Sequence, residues 1–192
     1  MASIGLVKPF VAKYAESSGT ISYTSGQRLG KAISHDLELQ NADPFILYSD
    51  DGASESISGF SSGTLTLGID NLSIADAALI LGITADTITT PGDGTGIAFD
   101  DDTEPPYLGY GIIVPMIKNG TRSYRAVLLP KIKFTLTGEN FETKGETINF
   151  ITPELTASVM RDDSTKHQWR YLADFATEAL AESWIKSKLS IT

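Results

Sequence analysis

Residues 107–134, YLGYGIIVPMIKNGTRSYRAVLLPKIKF, decide the fold class, because they contain two long apolar runs separated by Asn119-Gly120. An Asn-Gly pair tolerates the positive φ angles that a type I′ turn requires. The stretch therefore predicts a β-hairpin with strands at about 107–117 and 122–129.

Other stretches alternate polar and apolar residues, which is typical of strands with one face in water. In one of them Ile33, His35, Leu37 and Leu39 share the predicted inward face. ETINFI, at 146–151, predicts a further strand. The alternating stretches cover residues 33–40, 65–69, 131–136 and 155–159.

Helix signals are fewer. Ser73 is a candidate N-cap, Asp76 completes a short capping box and Gly82 ends the segment, which predicts a helix of about two turns. Its predicted apolar face combines Ile74 and Leu81 with two alanines, Ala77 and Ala78.

The end of the chain, DFATEALAESWIKSKL at 174–189, favours helix throughout, with acids near its start and lysines near its end. We expect this main helix to pack on the sheet through Leu180 and Trp184, which are four residues apart. The fold class is thus β-rich α+β, in a single domain over residues 1–192 with long loops near 40–63 and 84–106.

Composition limits the other classes of protein. The chain has no cysteine, so disulfides and zinc-thiolate sites are excluded. No apolar run approaches the ~18 residues of a membrane span, and no signal peptide is recognisable, so we expect no membrane partner and synthesis in the cytoplasm.

The net charge of −9 is unevenly distributed. Fourteen Asp and Glu residues and no Lys or Arg lie between Lys31 and Lys118. This argues against tight binding of nucleic acid, which needs clustered cations. The acids either keep a surface solvated or form one negative face that repels polyanions or meets a basic face of another copy.

The spacing G-x-S-x-G occurs at Gly59, Ser61 and Gly63, but the serine of a hydrolase needs a helix directly after it. Here a strand pattern follows instead, so catalysis by Ser61 with His35 or His167 is not favoured. We predict no catalytic residue, no cofactor and no metal. Solvated turn acids are preferred to a weak ion site built from the two acidic loops, because neither loop has the register of a calcium loop.

The succession of three blocks is more specific than any one of them. GFSSGTLTLGIDNLS with its following short helix, then PPYLGYGIIVPMIKNGTRSYRAVLLPKIKFTLTGENFETKGETINFITPELTAS, then a closing helix, resemble the major tail proteins of long, non-contractile-tailed bacteriophages, especially those of Gram-positive hosts. The resemblance covers roughly residues 20 to 189.

The resemblance implies a small β-sandwich or split β-barrel flanked by one main helix. It also implies a structural virion protein, made in the host cytoplasm, whose rings of six copies stack into a tail tube. Implied partners are further copies, a tape-measure protein, and the tail-terminator and distal tail proteins, while double-stranded DNA passes the lumen without specific binding.

In such a tube we expect the acidic middle of the chain to face the lumen or to meet the cations of residues 118–133 in the next ring. The alternative is a phage baseplate, decoration or carbohydrate-binding β-sandwich module that does not polymerise. The candidate inter-subunit or lumen-facing residues are Asp50, Asp51, Glu55, Asp100, Asp101, Asp102, Glu104, Lys118, Arg122, Arg125, Lys131 and Lys133.

Overall fold

The computed structural model of the chain describes residues 2–49, 52–83, 96–99, 101–135 and 152–192. In these ranges the strands are β1 (Ala2–Ser3), β2 (Val7–Ser17), β3 (Thr20–Arg28), β4 (Ala32–Asn41), β5 (Phe45–Ser49), β6 (Gly52–Ile57), β7 (Phe60–Ile69), β8 (Tyr107–Lys118), β9 (Thr121–Phe134), β10 (Glu154–Met160) and β11 (Tyr171–Phe175). The helices are α1 (Ile74–Leu81) and α2 (Glu178–Lys188).

The hairpin predicted from Asn119-Gly120 is confirmed. Strands β8 and β9 pair along their whole length, from Tyr107 opposite Lys133 to Lys118 opposite Thr121. Asn119 and Gly120 have φ angles of 51° and 78°, as a type I′ turn requires. This hairpin forms the centre of the sheet.

Nine of the described strands form one antiparallel sheet in the order β3-β2-β8-β9-β10-β7-β4, with β1 added to β8 and β11 added to β9. The sheet divides at β9. Residues 124–128 of that strand pair with β11, and residues 131–134 pair with β10. Pro130 lies between the two sets and has no N–H to donate.

The sheet curls, because its two end strands are consecutive in the chain. Three residues join β3 to β4, which limits the gap between Arg28 and Ala32 to about 14 Å. Leu29 N donates to Pro9 O and Asp70 N donates to Lys31 O, each at 2.9 Å, and these bonds hold the corner. The predicted β-rich α+β class is confirmed, with a curled sheet and α2 outside it.

The curled sheet buries one apolar core inside and one outside. The inner core includes Leu65, Leu67 and Ile69 of β7, whose predicted alternation is confirmed, and the largest fully buried side chain, Tyr110. The outer core lies between α2 and strands β2, β8 and β9. The central strands β2, β8 and β9 are therefore covered on both faces.

Helix α1 has the predicted caps, with a capping box between Ser73 and Asp76 and a left-handed Gly82. The predicted apolar face is wrong in part, because Ile74 is 42% exposed and Leu79 and Ile80 are the buried residues. The short helix rests on the inner core through its last turn rather than along one stripe.

The prediction that α2 packs on the sheet through Leu180 and Trp184 is correct only for Trp184, which is half-buried against the outer core. Leu180 is 54% exposed, whereas Ala181, Ile185 and Leu189 are buried. The stretch from 174 is not helical throughout, since β11 extends to Phe175 and Thr177 caps the helix. Pairing of β11 with β9 overrides the helix propensity of these first residues.

The long loop predicted near 40–63 is replaced by strands: β4 extends to Asn41, β5 and β6 form a hairpin, and β7 begins at Phe60. For the loop predicted at 84–106, residues 84–95 and 100 lie outside the described residues, and 96–99 and 101–106 contain no helix or strand. The strand predicted at 146–151 also lies outside the described residues.

Candidate functional site

Among the described strands, β4 is an open edge of the sheet. It pairs with β7 on one side, and no other described strand pairs with its second side. Ile33 is 53% exposed and Leu39 is 42% exposed, although the sequence predicts both as inward residues. An edge of this kind presents backbone donors, backbone acceptors and apolar side chains to a neighbour.

The error at Ile33 has a local cause. The register shifts between Ala32 and Ser34, so Ile33 is an extra residue that faces no partner on β7. Such a bulge reverses the direction of the side chain relative to a regular strand. Alternation alone could not reveal it, because the bulge depends on how β4 meets the corner at residues 29–31.

A two-stranded arm extends the β4–β7 pair. Ala42 N donates to Gly59 O at 2.8 Å, and beyond this bond Phe45 pairs with Ile57 and Ser49 with Gly52. Five extended residues span about 17 Å. The arm and the open edge are therefore parts of one ribbon, which is described over residues 32–49 and 52–69.

The outer surface of β4, β7 and β10 forms a polar face, which consists of Asp36, Glu38, Thr64, Thr66, Thr156 and Ser158. Its residues stand side by side, because the register places Glu38 opposite Thr64 and Thr64 opposite Ser158. Glu38 and Ser158 are exposed, and Thr64 is half-buried. The alternation of the sequence correctly predicts that these residues face water.

Three of the predicted contact cations are paired within the chain. Arg125 binds Asp174 through two hydrogen bonds of 2.7 and 2.8 Å, and Lys131 binds Asp163 at 2.6 Å. Lys133 forms an ion pair with Glu104, itself one of the predicted contact acids. A contact of these cations with a neighbouring copy would have to compete with the internal pairs.

The pKa values of the paired carboxyls follow from these contacts. The hydrogen bond from Arg125 lowers the pKa of Asp174, and hydrogen bonds from Lys131 and Tyr14 lower that of Asp163. These carboxyls are therefore ionised at neutral pH, and their negative charge is already balanced inside the chain.

The remaining candidate inter-subunit or lumen-facing residues lie in strands, in one turn or outside the described residues. Asp50, Asp51 and Asp100 lie outside the described residues. Glu55 belongs to β6 and Lys118 ends β8. Asp101 and Asp102 are exposed in a turn, and Arg122 is exposed near the start of β9. Of the predicted acids and cations whose side chains the structure describes, it brings Glu104 and Lys133 together and leaves Asp101, Asp102 and Arg122 exposed.

Ser61 does not lie on a strand-to-helix elbow. Strand β7 runs through it from Phe60 to Ile69, and the next helix begins at Ile74. His35 Nδ1 lies 3.2 Å from the buried Tyr110 hydroxyl, so its ring serves as a partner for that group. The geometry that would activate Ser61 is not formed by these residues.

A cleft of about 420 Å³ lies beside Tyr107, Lys133, Ser158 and Met160. Tyr107 is 40% exposed, and the ammonium group of Lys131 lies 4.6 Å from its ring centroid. Among the described residues no group of three or more acids and histidines is placed to hold a metal ion. In the same ranges no helix is long and apolar enough to cross a membrane.

Comparison with known proteins gives no assignment: no protein-family model matches the sequence, and no curated protein matches it.

Proposed function

We propose that this chain is a structural subunit that assembles through the edge of β4, as a tail-tube protein of the kind its sequence resembles. The observation that carries the proposal is an edge strand with two large exposed apolar side chains, Ile33 and Leu39. A second copy that pairs with this edge would satisfy its backbone groups and cover both side chains.

The ribbon that contains β4 suits a contact between copies. Its arm, β5 and β6, is joined to the β4–β7 pair by the hydrogen bond from Ala42 N to Gly59 O. A contact between two different surfaces, repeated around a ring, closes without leaving an open edge. By family resemblance the ring has six copies, and stacked rings surround a tape-measure protein and join tail-terminator and distal tail proteins in the virion.

The polar face would line the channel of such a tube. Asp36 and Glu38 lie on it and Glu154 begins the neighbouring β10, all three exposed. Among the described residues, the only cation that the register places opposite this face is Lys133. Lys133 is paired with Glu104. A surface of hydroxyls and acids without free cations lets DNA pass without binding, because phosphate contacts need Lys and Arg.

Assembly tests the proposal. Purified protein at high concentration, with and without preformed tail-initiation complexes as seeds, is examined by light scattering and negative-stain electron microscopy. We expect rings or tubes. Leu39→Lys should prevent them while the circular dichroism spectrum stays that of the wild type. Leu180→Lys is the matched control, since Leu180 is even more exposed than Leu39 but lies on α2.

Two results would contradict the proposal. If the protein remained monomeric under every seeded and unseeded condition, the proposed assembly function would be wrong. If Leu39→Lys assembled at the same protein concentration as the wild type, the edge of β4 would not be the contact between copies. A monomer that binds an oligosaccharide saturably would favour the binding-module alternative, with the cleft beside Tyr107 as its first candidate site.

A further inference from the structure

A second cleft lies where β3, β11 and the end of α2 meet. Its volume is about 140 Å³, and its walls include Ser22, Tyr23, Tyr171, Lys188 and Ser190 together with Asp162. It does not overlap the edge of β4 or the polar face. The proposed assembly function makes no use of it.

Asp162 is the buried charged residue of the described structure, with 1% of its surface exposed. Its Oδ1 accepts from Ser164 N at 3.2 Å, from Ser164 Oγ at 2.6 Å and from Gln168 N at 2.8 Å. Its Oδ2 is buried and has no hydrogen-bond partner among the described residues. An unpaired carboxylate oxygen of this kind is costly to bury, so a partner is expected.

The two tyrosines of the cleft do not supply that partner. The Tyr23 hydroxyl donates to Pro130 O at 2.9 Å, and the Tyr171 hydroxyl donates to Gln168 Oε1. Burial raises the pKa of Tyr171, and the nearby negative charge of Asp162 raises it further. Each hydroxyl therefore donates its proton to an acceptor other than Asp162, and both tyrosines remain among the residues that line the cleft.

The residues that line this cleft are of the kinds that bind organic cations in proteins. A carboxylate, two serine hydroxyls and two tyrosine rings stabilise an ammonium group by charge, hydrogen bonds and cation–π contact. Lys188 already shows the preference, since its ammonium lies 5.7 Å from the Tyr171 centroid and 6.0 Å from the Trp184 centroid.

We propose that this cleft binds an alkylammonium group from outside the chain, with Asp162 Oδ2 as its anionic partner. The ligand is a primary amine, either a small molecule or the lysine side chain of another protein. Lys188 lies at the same cleft and competes for the same negative charge.

The probe is n-butylammonium, titrated into the ¹⁵N-labelled full chain and followed by amide chemical shifts of Ser22, Tyr171 and Ser190. Butanol at equal concentration is the neutral control. We expect saturable shifts with the amine alone. Asp162→Asn should weaken binding by about tenfold or more, because it removes the charge. Its Asn Oδ1 can still accept the three loop hydrogen bonds, so the fold is preserved.

Lys188→Met provides a second, independent test. We expect this variant to bind n-butylammonium more tightly than the wild type does. A capped lysine, Nα-acetyl-lysine methylamide, then distinguishes a small-molecule amine from a lysine side chain of another protein. If it binds more tightly than n-butylammonium, the ligand is a protein side chain. Equal shifts with butanol, or unchanged affinity in Asp162→Asn, would overturn the proposal. Binding by Lys188→Met but not by the wild type would also overturn it, since Lys188 itself would then be the occupant.

Discussion

The outer surface of the sheet has two halves that differ in polarity and in whether a described element covers them. Over β2, β8 and β9 the surface is apolar and is covered by α2, so closely that Gly111 leaves no room for a side chain beneath Ile185. Over β4, β7 and β10 it is the polar face, and no described element covers it. The first half is built to stabilise the monomer. In the second half, the polar face and the free side of β4 are uncovered by any described element.

The largest expected effect is on the free energy of unfolding. It compares a buried residue beneath the polar face with an exposed residue on that face. Leu67→Asp places a charge in the inner core, where Leu67 has no exposed surface, and should cost about 4 kcal/mol or more of unfolding free energy. Ser158→Asp, on the polar face opposite Lys133, should change it by no more than about 0.5 kcal/mol. Urea unfolding of both variants measures the difference. Cooperative, wild-type-like unfolding of Leu67→Asp would contradict the assigned facing.

The next effect tests how closely α2 covers the other half. A Cβ at Gly111 would lie 2.5 Å from Ile185 Cγ2, so Gly111→Ala should destabilise the fold by about 1–3 kcal/mol. Gly59→Ala is the control, since no atom lies within 4 Å of the added carbon. Thermal melting compares the two. Equal melting temperatures would show that α2 is packed more loosely than described.

A smaller effect concerns pH and the inner core. Burial lowers the pKa of His35 below 6.5, and the charge of Arg170 lowers it further, against an opposing effect of Asp36. The unfolded chain therefore takes up a proton first as the pH falls below about 6.5, and stability decreases from there to the lowered pKa. Urea unfolding between pH 7.5 and 5 measures the decrease.

His35→Gln provides the control for that pH dependence, because it removes the titrating group. The carboxyls with lowered pKa, Asp163 and Asp174, begin to lose their contribution only below about pH 4. A slope between pH 6.5 and 5 that is unchanged in His35→Gln would assign it to another group.

The smallest effect belongs to the exposed pair of Arg125 and Asp174. Their side chains are 33% and 44% exposed, so the paired geometry should contribute less than about 1 kcal/mol and should weaken with salt. A double-mutant cycle with Arg125→Gln and Asp174→Asn measures it. A salt-independent coupling above that value would show that the pair is more shielded than its exposure indicates.

Local patterns in the sequence predict much of this fold. The Asn119-Gly120 turn, the capping box at Ser73 and the alternation of β7 are each decided by neighbouring residues, and each is correct. The errors arise where distant parts of the chain decide. Leu180 is the larger residue, yet Ala181 faces the sheet, because α2 must approach two glycines of β8 closely.

The same distinction applies to the candidate sites. That Asp36, Glu38 and the threonines face water follows from alternation, but the exposure of Ile33 and Leu39 depends on a bulge and on β4 being an end strand. Asp162 carries no sequence signal at all. It is a candidate because its Oδ2 is buried without a described partner and because it lines a cleft with residues of β3, β9, β11 and α2.

Amide hydrogen exchange before and after assembly tests the central claim most directly, because it measures protection at the edge of β4 itself. Peptides that cover residues 32–41 should become strongly protected on assembly, whereas peptides that cover α2 should exchange as they do in the monomer. Assembled protein in which residues 32–41 exchange at the monomer rate would contradict the account.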